Sequence, residues 1–147
     1  MEVDVSVDWD VAGRAIEVTE GDAASLLEFA LKQEGRGGAW TLALRFVGDA
    51  EMRSLHEQFM GERSSTDIMT FPYDGDDGEQ GGDILISVDT ADENARQQGA
   101  ELADELRFLM LHGLLHILVW DDHDERERQE MLDRQAALLA GWKATAA

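Results

Sequence analysis

The chain has 147 residues, 44% of them apolar, with 12 Lys and Arg against 32 Asp and Glu for a formal net charge of −20. That length and composition suit one domain over residues 1–147 and exclude two large ones. No cysteine is present, which excludes disulfide frameworks, thiolate zinc sites, iron–sulfur clusters and cysteine nucleophiles, so any metal must bind through His, Asp or Glu.

Val3, Val5, Val7 and Trp9 alternate with polar residues and predict a first, half-buried strand. This start lacks the basic and continuously apolar segments of a secretion signal, so a cytoplasmic protein is expected. From about Asp22, residues Ala24, Leu26, Leu27, Phe29, Ala30 and Leu31 recur at helical spacing, and Gly35-Arg-Gly-Gly ends the helix. Trp40 to Val47 alternates again as a second strand. Asp49 is then placed to cap a second helix through Phe59.

Asp67 to Tyr73 and Gly82 to Ser87 read as two strands around an exposed acidic segment, Asp74 to Gly81. Pro72 cannot donate to a ladder and belongs at a strand end or sheet edge. The acidic segment fails as an EF-hand, because Gly78 and Leu85 stand where calcium ligands are needed. Three helices follow, over about Thr90–Gln98, Leu102–Val119 and Glu125–Lys143. The apolar run Leu106 to Trp120 is broken by Arg107, His112 and His116 and falls short of the roughly 20 residues of a membrane span, so it predicts a buried soluble helix. The fold class expected is α+β: a small mixed sheet of about four strands packed with about five helices.

Three of the four histidines crowd into His112-Gly-Leu-Leu-His116-Ile-Leu-Val-Trp-Asp-Asp-His123. Residues four apart share a helix face, so His112 and His116 can aim at one ion. Their neighbours are apolar, and a buried imidazole needs a hydrogen-bond partner or a metal. His123 is the expected third ligand. An open fourth position would describe a catalytic zinc, whereas Asp121 or Asp122 as a fourth ligand would close a structural site. The spacing is that of H-E-x-x-H metalloproteases, but Gly113 replaces their general-base Glu. No serine lies in a nucleophile elbow. Metal-activated water is therefore the expected nucleophile.

These residues resemble the H-G-x-L-H-x-x-x-[YW]-D-H signature of the YbeY endoribonucleases, the rRNA maturation factors. Gly61 with Ser65-Thr-Asp-Ile-Met-Thr-Phe-Pro72 is similar to that family's G-x-x-x-P-T-[ND]-V-L-S-F-P stretch, and Gly82-Asp-Ile-Leu-Ile-Ser87 to its G-D-[IL]-x-I-[SC] strand. The resemblance covers about Trp40 to Leu139. It implies one Zn2+ held by His112, His116 and His123 on a C-terminal-half helix, cleavage of single-stranded rRNA, maturation of the 16S rRNA 3′ end and a part in ribosome quality control. It also implies contact with ribosomal proteins or the small ribosomal subunit.

Two departures bear on the site. Six residues separate His116 from His123 where the family usually has five, which makes Asp122 the alternative third ligand. Met60 stands where many members carry an arginine before the glycine, and Arg63 is the candidate catalytic replacement, a guanidinium suited to phosphate. His56 is assigned no role, and Trp120 is expected to wall the site. The alternatives to the nuclease are a non-catalytic ribosome-assembly factor with a structural zinc and another metallohydrolase. The acidic charge disfavours nonspecific nucleic-acid binding through a basic face and suits contact with basic ribosomal proteins.

Overall fold

Residues 1–62, 66–73 and 79–145 are described by the structure, a computed structural model. Strands β1 (Glu2–Asp10), β2 (Ala39–Val47), β3 (Ile68–Pro72) and β4 (Gln80–Ser87) form one mixed sheet in the order β1-β2-β4-β3. β1, β2 and β4 run parallel, with Val5 opposite Leu42 and Leu44 opposite Ile84, while β3 pairs antiparallel to β4 with Thr70 opposite Ile84. Pro72 ends the edge strand β3, where its missing N–H breaks no ladder. Residues 74–78 of the acidic segment lie outside the described residues.

Period-two alternation separates two faces. Leu42, Leu44, Phe46, Ile84 and Ile86 join the main core beneath α1 (Glu20–Gln33), α4 (Leu102–Ile117) and α5 (Glu125–Thr145). Val47, Met69 and Leu85 turn to the other face, where Met52 and Leu55 of α2 (Asp49–Met60) meet them. The expected α+β class is the one observed, with five helices among the described residues. The first cap differs from expectation: Gly48 is the N-cap of α2 and Asp49 its first residue, where the carboxylate still favours the positive helix end. Ser87 caps α3 (Val88–Gln98) by accepting from the Thr90 N–H.

α4 is the central helix. Leu106, Met110, Leu111, Leu114 and Leu115 are fully buried, as its nearly all-round apolar character requires. Gly113 lets it sit close on the sheet: a Cβ there would lie 2.9 Å from Ile84 Cγ2 and 3.1 Å from Ile68 Cδ1. Position 113 therefore faces the sheet, and a metalloprotease glutamate has no room in it. No helix among the described residues is long and apolar enough to cross a membrane.

Candidate metal centre

α4 ends at Ile117, two residues before the expected end at Val119. Val119 takes a left-handed φ of 65°, its N–H bonds the His116 carbonyl, and the Trp120 N–H bonds the Leu115 carbonyl, each at 2.9 Å. That pair of bonds is a Schellman stop, which usually places glycine at the left-handed position. The turn folds the chain back over the helix end. It is held there by Glu34, which accepts from the Trp120 indole at 2.8 Å and from Arg134 Nε of α5 at 2.7 Å. The Trp120 ring packs against the main core and is not among the residues lining the cleft, so the expected wall is not formed by this side chain.

The reversal brings three side chains together. His112 and His116 stand edge to face with ring centroids 4.5 Å apart and Nε2 atoms 3.0 Å apart. Asp122 Oδ2 lies 3.4 Å from His116 Nε2 and 3.9 Å from His112 Nε2. His123 is not in this group; its exposed ring is 3.9 Å from Asp121 and forms a separate cluster with Asp121 and Glu127. Arg63 lies outside the described residues.

Hydrogen bonds behind the rings set their protons. Gln135, buried on α5, donates from Nε2 to the Phe108 carbonyl at 3.1 Å, which turns its Oε1 to His112 Nδ1 at 2.9 Å. His116 Nδ1 faces the Trp120 carbonyl at 3.1 Å. Both partners are acceptors, which assigns a proton to Nδ1 on each ring and leaves Nε2 as the atom that would ligate an ion. Two imidazole Nε2 atoms and a carboxylate oxygen converge on one point.

That donor set fits a divalent ion of the zinc type. Tetrahedral zinc with ligands about 2 Å away places neighbouring ligand atoms about 3.3 Å apart, and the separations of 3.0, 3.4 and 3.9 Å bracket this. The ring partners have the form of an outer shell, fixing tautomer and orientation. His116 also lies in the last turn of α4, where the helix carbonyls favour a cation.

His112 and His116 line a cleft of about 530 Å³ between α4, the edge strand β3 and the end of α2. Thr66, Asp67 and Thr70 supply polar walls, and His56 and Met60 face in from α2. Sequence reading missed His56 and Gln135. The i, i+4 spacing of His56 and Met60 is a signal for the first; nothing local marks the second, which reaches His112 across 23 positions.

A family model described as "Endoribonuclease YbeY" matches residues 12–143. An endoribonuclease YbeY of Gloeobacter violaceus is 42% identical over 112 residues, 71% of this chain and 58% of that protein. The alignment thus spans less than two thirds of that relative. One from Bacillus licheniformis is 33% identical over 141 residues, 88% of this chain and 89% of that protein. The solution structure of a Thermotoga maritima protein shares the fold, with a TM-score of 0.62 at 24% identity over 95% of this chain and 93% of that one.

Proposed function

The chain belongs to the endoribonuclease YbeY family, and from that premise we propose that residues 1–147 form one metal-dependent domain that hydrolyses single-stranded rRNA. The proposal extends to maturation of the 16S rRNA 3′ end and ribosome quality control in the cytoplasm, with zinc as the ion. The observation that carries it is the convergence of the His112 and His116 Nε2 atoms with the Asp122 carboxylate, beside a cleft that both histidines line.

His112, His116 and Asp122 would hold the ion, with His123 as the alternative to Asp122. Bound there, a zinc-type ion supplies Lewis acidity at the phosphate and lowers the pKa of its water. The chain's own part is positional. Gln135 and the Trp120 carbonyl keep both rings turned to the ion. Thr66 and Thr70 offer hydroxyls to an RNA backbone along the cleft. Arg63 is assigned to neutralising the phosphate, for which a guanidinium fork is well shaped. Ribosomal proteins are the proposed docking partners, since a chain at −20 complements basic surfaces.

The test compares a single-stranded RNA with the same sequence in duplex, using zinc-loaded protein beside His116→Ala. Cleavage of the single strand alone, lost with the ion in the variant, is the expected result. Bound zinc with both RNAs intact would overturn the nuclease and favour an assembly factor with a structural ion.

A further inference from the structure

Behind the metal cleft lies a second cavity of about 200 Å³, lined among others by Asp67, Gln98, Glu105, Phe108, His112 and Leu132. Asp67 and His112 border both spaces, so the cavity opens beside the metal centre. Its unusual member is Glu105. The residue is 8% exposed, lines the cavity, and its carboxylate has no hydrogen bond or ion pair among the described residues. Burial, and then the charge of Asp67, hold this carboxyl above the ordinary glutamate range. Neither oxygen is fully cut off from solvent, so water serves this acceptor in the free protein and a ligand's donor would take that water's place.

The lining decides what that ligand is. Phe108, Leu109 and Leu132 make an apolar wall, which a hydrated hard cation does not use and a flat heteroaromatic ring does. The volume is below that of a drug-sized site and suits a single ring system. Both carboxylates only accept, so the ring must present adjacent N–H donors. Guanine does so through N1–H and its 2-amino group; adenine and cytosine offer one amine, and uracil a lone N–H between two carbonyls. Carboxylate recognition of a base donor edge has the strength of a specific base contact. Gln135 is already engaged with His112 and Phe108, which leaves Asn94 and Gln98 of α3 to meet the guanine carbonyl.

We propose that this cavity is a guanine pocket, in which Glu105 and Asp67 accept from the base edge while Phe108 and Leu132 cover its face. The base comes from an RNA strand in the cleft or from a free guanine nucleotide. The first source rests on the reading of the cleft as an RNA cleavage site.

The experiment has two arms. Zinc-loaded wild type, Glu105→Gln and Leu132→Trp are titrated with guanosine, inosine, adenosine, cytidine and uridine, whose missing phosphates keep them off the ion. Guanosine is expected to bind at least about tenfold tighter than adenosine, cytidine or uridine, with inosine between. Both variants are expected to lose that preference while keeping one zinc per chain. In the second arm, ends cut from random single-stranded RNA are sequenced. Guanine enriched at one fixed position from the cut, and not in Glu105→Gln, identifies RNA as the source; guanosine selectivity without enrichment identifies a free nucleotide. Equal binding of the nucleosides by wild type, or selectivity surviving in both variants, overturns the pocket. Intact RNA with guanosine selectivity present would refute the cleavage reading and leave the pocket standing.

Discussion

His112 and Gln135 are joined across 23 positions by a 2.9 Å bond that fixes which nitrogen of the imidazole is free. Gln135→Leu keeps the buried volume and removes the acceptor. Zinc affinity should fall about 10- to 100-fold, read by competition with a chromogenic chelator, while the circular dichroism spectrum stays that of wild type. Unchanged affinity would mean that the ring needs no such support.

The third ligand separates by elemental analysis. Asp122→Ala should lose zinc and His123→Ala should keep one ion per chain, because Asp122 lies within 3.4 Å of His116 Nε2 while His123 is turned to Asp121. The opposite pattern would restore His123 as ligand.

Val119 is 80% exposed and sits at a φ of 65°, a conformation that disfavours a β-branched residue. Val119→Gly removes that strain and loses no burial. A gain of about 1 kcal/mol is expected, seen as a rise of about 2–4 °C in Tm. A lower Tm would show that chain entropy at this position outweighs the strain.

Gly113→Ala tests how tightly α4 rests on the sheet. Helix propensity alone favours alanine by about 1 kcal/mol, but the new methyl meets Ile84, which is fully buried and has no room to yield. Overpacking of this kind costs about 1–3 kcal/mol, so Tm should fall in thermal melts. A rise would mean that the helix can lift from the sheet without loss.

Glu105 sets a pH dependence. Its carboxyl is held high in the folded chain, so the fold keeps a proton that the unfolded chain has already released. Stability from this group is therefore lost as pH rises from the ordinary glutamate range through the raised folded value. Glu105→Gln should melt higher than wild type at pH 7 and alike at pH 4. Equal melting at pH 7 would remove the strain assigned to this side chain.

Much of this architecture is legible in local pattern. Alternation at Val3 to Trp9 and Trp40 to Val47 marks strands because one face is buried, and the run from Leu106 marks a helix buried on all sides. His112 and His116 follow from helical spacing alone. The third partner does not, because the path after Ile117 depends on a left-handed residue that is not glycine and on Glu34 gripping Trp120 from another helix. The extra residue before His123 put Asp122 forward as the alternative, but spacing alone leaves open which of the two the reversal brings to the rings. Gln135 is hidden for a similar reason, since helix-to-helix contacts are set by packing and leave no periodic trace.

The cleft residues described here include no lysine or arginine; its walls are histidine, threonine, methionine, isoleucine and an aspartate. Without the ion, Asp67 and Asp122 and the negative end of α4 present phosphate with a repulsive field. On the proposed reading, loading would be ordered, metal first and polyanion second, and affinity for RNA would track the free metal concentration. If the cleft takes RNA as proposed, the ion and Arg63 are the sources of positive charge named for it, and metal supply would then act as a gate on RNA binding.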